Sequence, residues 1–303
     1  MLAGMSPQSK GIAAMVLAAA LLSAHDAVSK YLAQSYPIGQ VVFYRQMFSL
    51  ALLAVFIQVF GGWTRLKINS YRGQGIRAIA FIAATVLIVT SVAALPLATA
   101  LSIIFASPLV LAALSVPLLG ERVGLHRWLA ILGGFAGVLI IIRPIDPAFN
   151  WLLLLPVCAA CSSALRDIAT RLISRTEDPL SILFWSNIAV IIASALTLPI
   201  GFAPFGMRPI AAVDYAWLAL AGYLNIQAHF LMISALRIAD AALVAPFRYS
   251  ALIWAALLGY LVWNHVPDGW TVVGALVIVA SGIYLLIRER RAAAHGKPAP
   301  ARH

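Results

Sequence analysis

Charged side chains are scarce in this chain of 303 residues, where they make up 10% of the sequence against 63% apolar residues. Soluble domains carry about 25% charged and 45–50% apolar residues, so the shortage excludes a soluble globular protein. A helix that crosses a bilayer needs about 20 apolar residues, and ten such helices would use most of the chain. The composition therefore predicts an all-α membrane protein with many transmembrane helices.

Acidic residues are scarcer still, with 10 Asp and Glu against 21 Lys and Arg, which gives a formal net charge of +11. In a soluble protein this excess would suggest a nucleic-acid partner. In a membrane protein, basic residues instead collect in the cytoplasmic loops as an orientation signal. We therefore expect the lipid bilayer and a small-molecule substrate as partners, and no nucleic acid.

Cysteine is nearly absent, since only Cys158 and Cys161 occur, both within an apolar run. This excludes a disulfide framework and a four-cysteine metal site, and we expect neither a metal nor another cofactor. Familiar catalytic and nucleotide-binding motifs are missing as well. The longest polar loop, residues 61 to 74, is too short for an ATP-binding domain. Secondary transport is thus favoured over a channel, a primary pump or an integral membrane enzyme.

Polar residues, glycines and prolines divide the chain into ten hydrophobic segments. The weakest boundary is Pro96, where a single kinked helix would reduce the count to nine. The predicted spans cover residues 11–33, 38–60, 75–95, 97–119, 126–143, 150–173, 180–201, 212–235, 241–263 and 270–287.

The distribution of basic residues supports ten spans. With the N-terminus inside, 15 of the 21 basic residues fall on the inner side, Arg77 and Arg171 among them, and only Arg143 and Arg208 fall outside. The other four lie within spans. This asymmetry fits the positive-inside rule, and a nine-span chain would lose it beyond Pro96. Both termini are therefore expected in the cytoplasm.

An internal repeat divides the chain into two five-helix halves, residues 10–145 and 150–290, followed by a basic tail, residues 291–303, that is expected to be disordered. An odd number of spans per half places the halves in opposite orientations, as in many secondary transporters. The repeat is carried by Asp26-Ala-Val-Ser-Lys30 and Asp167-Ile-Ala-Thr-Arg171, by Pro37 and Pro179, and by Arg45 and Asn187, each eight residues after its proline.

Three local motifs stand out, Arg45 early in span 2, Pro108 in span 4 and Leu119-Gly120-Glu121 at its end. They resemble motifs of the drug/metabolite transporter superfamily, in particular its ten-span branch with two EamA-type halves. The second half departs from the pattern, with Val262-Trp263-Asn264 and Ala251 at the corresponding places. The resemblance covers residues 10 to 290. It implies a carrier for small organic metabolites, often amino acids, in the cell inner membrane.

Charges at membrane depth point to function, because each costs about 2.5–3.5 kcal/mol on insertion scales unless it is paired or faces water. Asp26 and Arg45 have similar predicted depths, so we expect them to pair and close the outer side of a cavity. A permanent structural pair, or an Asp26–Lys30 bridge within span 1, is the alternative.

An equivalent contact is expected on the inner side. There Asp167 and Arg248 are predicted to pair, and the contact would open when Asp26 and Arg45 close. Arg166, which is adjacent to Asp167, is the alternative partner for Asp167 or a site for a substrate carboxylate.

Polar residues near the middle of span 8, Tyr223, Asn225, Gln227 and His229, are predicted to bind substrate, although such residues also join helices to one another. Prolines in spans 4 and 9 would kink those helices and expose polar backbone. Phe105, Ser107, Phe247, Arg248 and Tyr249 lie next to these kinks and complete the predicted binding set. The candidates for proton coupling are Asp26, Asp167 and His229.

Spans 5 and 10 contain small residues and little polarity, so they are expected to brace the bundle or to form a homodimer contact. The excess of buried base over acid suits a substrate that bears a carboxylate. Our main expectation is export of amino acids or related compounds. The alternative is uptake of a vitamin or nucleoside-type metabolite such as riboflavin or S-adenosylmethionine.

Overall fold

The computed structural model describes residues 6–60, 62–120, 124–147, 149–173, 176–199, 207–239 and 241–295. These residues form helices and connecting loops, with no β-strand among them. Ten helical segments are long and apolar enough to cross a membrane, as predicted, and are called spans 1 to 10: Pro7–Ala33, Ile38–Val59, Tyr71–Ala94, Leu97–Leu119, Leu125–Ile142, Trp151–Ile173, Pro179–Thr197, Ala212–Leu236, Ala245–Trp263 and Gly269–Arg288.

Three spans are broken rather than continuous. Span 4 consists of two helices, Leu97–Ile104 and Ser107–Leu119, and span 6 begins with the 3-10 turn Trp151–Leu153 before helix Leu154–Ile173. Span 9 follows a short helix, Ala241–Val244, and comprises the 3-10 segment Ala245–Ser250 and helix Ala251–Trp263. The other spans are single helices that extend to Phe60 in span 2, Ile238 in span 8 and His295 in span 10, and a 3-10 turn, Trp63–Leu66, lies between spans 2 and 3.

The prolines act as the sequence predicts. Pro96 separates spans 3 and 4, which end and begin on either side of it, so the ten-span count is confirmed. Pro108 and Pro246 lie in the first turns of Ser107–Leu119 and Ala245–Ser250, where a proline needs no backbone donor.

Several helix boundaries differ from the prediction, among them the start of span 3 and the end of the last helix. Span 3 begins at Tyr71, earlier than residue 75, because the Ser70 side chain caps its N-terminus by accepting a hydrogen bond from the Gly73 N–H. Helix Gly269–His295 continues into the segment that was expected to be a disordered tail. The rest of that segment, residues 296–303, lies outside the described residues, as does Glu121.

The helix packing repeats between the two halves. Span 1 packs mainly on span 8, and span 3 packs on span 6. The second pair is the equivalent of the first when the halves are exchanged, because span 1 corresponds to span 6 and span 8 corresponds to span 3. Spans 2 and 7 pack on each other, and so do spans 5 and 10. This arrangement fits the two inverted five-helix halves predicted from the sequence.

The small residues of spans 5 and 10 face each other within the chain. A side chain at Gly137 would meet the Gly274 backbone and Ile278, and one at Gly133 would meet Ser281. This packing requires the two helix backbones to approach closely, which glycine permits. The expectation that these spans brace the bundle agrees with this contact, and a homodimer through them stays a prediction.

The two ends of the bundle differ. At the end where spans 1, 3 and 9 finish, here called the closed end, side chains from spans 1, 3, 4 and 9 form one apolar cluster that includes Ala27, Val92, Leu97 and Ala255. At the opposite, open end, the equivalent contacts of span 6 with span 8, and of Ser107–Leu119 with Ala245–Ser250, are far weaker among the described residues. The positive-inside pattern predicts that the open end faces the cytoplasm.

Candidate functional site

Arg45 on span 2 binds span 1 through His25 and Ser29. Its Nη1 atom donates to Ser29 Oγ at 2.8 Å and lies 3.1 Å from His25 Nε2. The other ring nitrogen, Nδ1, lies 2.8 Å from the Ala221 carbonyl of span 8, an acceptor only. The imidazole is therefore neutral with its proton on Nδ1, which leaves Nε2 to accept from Arg45. His25 thus links three spans, a role that the sequence analysis did not assign to it.

The expected direct ion pair between Asp26 and Arg45 is not formed. The basic side chain within 4 Å of Asp26, among the described residues, is that of His25, whose Nε2 lies 4.0 Å from Asp26 Oδ1. The charges of Asp26 and Arg45 still interact at longer range, and both residues are buried. The physical reason for the difference is that His25 and Ser29 present closer acceptors to the guanidinium. A gating role for Asp26 and Arg45 stays a prediction.

Lys30 also lacks its expected partner. Its Nζ atom donates to the carbonyls of Val92 at 2.7 Å and Leu95 at 2.6 Å, at the C-terminus of span 3. It also lies 5.4 Å from the centroid of the Trp263 ring. The carbonyls at a helix C-terminus carry partial negative charge and lack partners within the helix, so they attract this cation. The predicted Asp26–Lys30 bridge is therefore replaced by a contact between spans.

Asp167 pairs with its neighbour in the chain. Arg166 donates from Nε to Asp167 Oδ1 at 2.9 Å, and its Nη2 atom lies 2.8 Å from the same oxygen. The expected Asp167–Arg248 ion pair is not formed, and the Arg166 alternative is the one observed. The two side chains are 22% and 41% exposed, whereas the equivalent residues His25 and Asp26 are buried.

The breaks in spans 4 and 9 bring three predicted residues together. The rings of Phe105 and Tyr249 lie 5.6 Å apart, and the Arg248 guanidinium lies 6.0 Å from the Phe105 ring centroid. Tyr249 is buried, whereas Arg248 and Phe247 are exposed. Ser107 is partly buried and begins the second helix of span 4.

Span 8 contributes His229 to the same region. His229 Nδ1 lies 2.8 Å from the Asn225 carbonyl one turn earlier, and its charge interacts with those of Arg166 and Arg248. Asn225 and Gln227 are partly buried, and Tyr223 is exposed. No hydrogen bond or ion pair joins Tyr223 or Gln227 to the charged residues in the part of the chain that the structure describes.

Arg77 was expected with the inner loops but lies within span 3. It is buried in span 3 and donates to Thr170 Oγ1 at 2.7 Å and to Ser186 Oγ. Thr170 is the repeat equivalent of Ser29, the hydroxyl that binds Arg45. Recognition of Ser70 as a helix cap would have placed Arg77 two turns inside the span.

These contacts define a candidate substrate site at the open end, between spans 4, 6, 8 and 9. Arg166, Asp167, His229 and Arg248 interact electrostatically and are at least partly exposed, and the Phe105–Tyr249 ring pair lies beside them. A site with two guanidinium groups, one carboxylate and aromatic rings can bind a carboxylate, a cation and a planar ring at once.

The model of the EamA-like transporter family matches residues 9–143 and 150–288, one match in each half. The chain belongs to this family. The resemblance to the drug/metabolite transporter superfamily is thus confirmed. Family membership makes it a multi-pass membrane transporter, and the two matches correspond to the two halves of the helix packing.

Relatives of this EamA-like transporter include carriers of different compounds. It is 30% identical to an S-adenosylmethionine uptake transporter of Rickettsia bellii, over 94% of this chain and 96% of the relative. A riboflavin transporter of Rhizobium johnstonii is 29% identical over 91% of each chain. The pseudopaline exporter CntI of Pseudomonas aeruginosa is 24% identical over 91% of this chain and 95% of the relative.

A solved crystal structure has the same fold as this EamA-like transporter. It covers 93% of this chain and 98% of its own, with a TM-score of 0.63 and 18% sequence identity. At this identity the likeness concerns the fold alone.

Proposed function

We propose that this EamA-like transporter carries S-adenosylmethionine into the cell across the cytoplasmic membrane. The observation that carries the proposal is the group of charges at the open end, the partly exposed Arg166 and Asp167 and the exposed Arg248, beside the Phe105–Tyr249 ring pair. The uptake function of the Rickettsia relative supports it.

The chemistry of the substrate matches that of the site. S-adenosylmethionine has a carboxylate, which suits the Arg248 guanidinium, and an ammonium and a sulfonium, which suit Asp167. Its adenine ring suits an edge or face of Phe105 or Tyr249. Binding of the carboxylate by Arg248 would leave the Arg166–Asp167 pair to face the cationic end of the substrate.

The relatives' functions favour uptake over the amino acid export expected from the sequence. The relatives that match at 29–30% identity are an uptake transporter and a vitamin transporter, whereas the exporter matches at 24%. We further propose that transport proceeds by alternating access, with the observed closed end opening as the open end closes.

Riboflavin is the second candidate, because a riboflavin transporter is nearly as similar to this chain. Its flat ring system suits Phe105 and Tyr249, but it has no ionised group at neutral pH. Riboflavin transport would therefore not depend on the Arg248 charge, and this separates the two candidates.

Purified protein in proteoliposomes tests the proposal through uptake of radiolabelled S-adenosylmethionine, with methionine, adenosine and riboflavin as competitors. Arg248→Gln should raise KM roughly tenfold, as expected for one lost charge-assisted hydrogen bond, and should leave the folded yield unchanged. Arg72→Gln, an exposed arginine on span 3, is the matched control.

Other outcomes decide between the alternatives. Riboflavin flux that is insensitive to Arg248→Gln would support the second candidate. Efflux of amino acids from loaded vesicles, without flux of either larger compound, would overturn both candidates and restore the export expected from the sequence.

A further inference from the structure

Lys30 holds the closed end together. It extends from span 1 to the carbonyls of Val92 and Leu95 at the end of span 3, and it lies over Trp263 at the end of span 9. Its side chain is almost fully buried, with 3% of the residue exposed. Opening this end would separate spans 1 and 3 and expose the ammonium group to water.

The repeat places Arg171 at the position equivalent to Lys30. Both are the last residue of the five-residue motif that carries the repeat, Asp26 to Lys30 in span 1 and Asp167 to Arg171 in span 6. Both side chains are cationic and long. Arg171 is exposed at the open end of the bundle.

The repeat also supplies an equivalent for the carbonyls that bind Lys30. Span 3 is followed by Leu95, with φ −121° and ψ 162°, whose N–H bonds the carbonyl four residues earlier. Helix Ala212–Ile238 of span 8 is followed by Ala239, with φ −135° and ψ 163°, whose N–H makes the same bond to Ala235. The two helix ends therefore have the same geometry, and Leu236 and Ala239 correspond to Val92 and Leu95.

We propose that Arg171 closes the open end in the opposite state of the transporter, by donating to the carbonyls of Leu236 and Ala239 as Lys30 donates to those of Val92 and Leu95. This inference rests on the alternating access proposed above. In the observed state spans 6 and 8 are apart, so the contact awaits their approach. The two contacts then form in turn, one at each end.

The two contacts share a physical basis. A helix C-terminus offers unpaired carbonyls and the negative end of the helix dipole, and a cation near it is stabilised. Each contact joins helices that belong to different packed pairs, span 1 of the 1–8 pair to span 3 of the 3–6 pair, or span 6 to span 8. Contacts between different packed pairs must break in every transport cycle, whereas contacts within a packed pair need not.

A cysteine reporter at the closed end tests the proposal without substrate, so failure of the transport assay would not affect it. Val92→Cys is nearly isosteric and lies in the apolar cluster that seals this end. It is introduced into a Cys158→Ala/Cys161→Ala background, which removes the native thiols. The rate of labelling is measured with a membrane-impermeant maleimide added to each side of the membrane separately.

Lys30→Met should raise the labelling rate, because it weakens the state in which this end is closed. Adding Arg171→Met should lower the labelling rate about fivefold relative to Lys30→Met alone, since it weakens the state in which the closed end is open. Adding Arg72→Met, which removes an exposed arginine near the same end as Arg171, should leave the rate as in Lys30→Met alone.

The proposal is overturned if Arg171→Met does not slow labelling in the Lys30→Met chain, or if Arg72→Met slows it equally. Size-exclusion chromatography reports whether each variant folds. Should Lys30→Met fail to fold, Arg171→Met and Arg72→Met are compared in the chain that retains Lys30, over longer exposure. In that chain, slower labelling with Arg171→Met but not with Arg72→Met would support the proposal. Equal labelling rates for the two variants would overturn it.

Discussion

The same five-residue motif occupies opposite environments in the two halves of this transporter. In span 1, Asp26 and Lys30 are buried and Lys30 contacts two other spans. In span 6, Asp167 pairs with its neighbour Arg166 and is partly exposed, and Arg171 is exposed. The two copies of one motif therefore differ in burial as the two ends of the bundle differ in packing. The difference fits the proposed alternating access, in which the two environments would exchange.

Other differences between the halves lie in the residues themselves. Asn187 occupies the place of Arg45, and the guanidinium that binds Thr170 comes from Arg77 on span 3 instead. The second half thus obtains its buried arginine from the first half. This exchange predicts unequal effects when equivalent residues are substituted.

The largest effect is expected at Arg45. Arg45→Met would leave Asp26 buried without an opposite charge and would deprive His25 and Ser29 of a donor, so it should lower the unfolding free energy by about 3 kcal/mol. Asn187→Ala should cost about 1 kcal/mol or less, because Asn187 donates only within its own helix, to Leu183. Thermal unfolding in detergent measures both. Equal losses of stability from Arg45→Met and Asn187→Ala would contradict the expected difference between the two positions.

A smaller pair of effects is expected in the loops at the two ends. At the open end, buried Glu177 accepts from the N–H groups of Asn69 and Ser70, at 2.8 and 2.6 Å. At the closed end, the Tyr36 hydroxyl donates to Asp214 at 2.6 Å, and this bond raises the pKa of Tyr36. Glu177→Ala should cost about 2 kcal/mol, because it removes a buried carboxylate that accepts from two backbone N–H groups. Tyr36→Phe should cost about 1 kcal/mol, because it removes a single hydroxyl group.

These loop contacts join spans that also pack on each other, span 3 with spans 6 and 7 and span 8 with spans 1 and 2. Neither Glu177→Ala nor Tyr36→Phe should therefore change labelling of the Val92→Cys reporter, even though both lower thermal stability. A change in labelling without a change in stability would show that the loops take part in opening, and would weaken the distinction between the two kinds of contact.

The sequence was sufficient to predict the helical framework. Ten spans follow from apolar segments of bilayer length, and Pro96 and the prolines of spans 4 and 9 mark local breaks that need no tertiary information. The adjacency of Arg166 and Asp167 likewise made their pairing an available alternative. Features encoded within about one helix turn were therefore accessible.

The sequence was insufficient where partners come from other helices. Lys30 binds backbone carbonyls, which every residue has and which carry no sequence signal. His25 and Arg77 find partners on spans 8, 6 and 7. Pairing by charge and estimated depth favoured Asp26 with Arg45, but nearer neutral acceptors bind the guanidinium.

The smallest expected effect concerns the ends of spans 4 and 9. Span 4 is followed by Gly120, with φ +67°, and span 9 by Asn264, with φ +55°, so a left-handed residue follows each. Glycine adopts this conformation without penalty and asparagine tolerates it better than most residues. The divergence of Val262-Trp263-Asn264 from Leu119-Gly120-Glu121 therefore preserves the helix stop, displaced by one position in the motif.

Gly120→Ala should lower stability by about 1 kcal/mol, whereas Asn264→Gly should change it by less than about 0.5 kcal/mol. Thermal unfolding of the two variants compares them, and a large loss from Asn264→Gly would mean that the Asn264 side chain stabilises the closed end by contacts of its own.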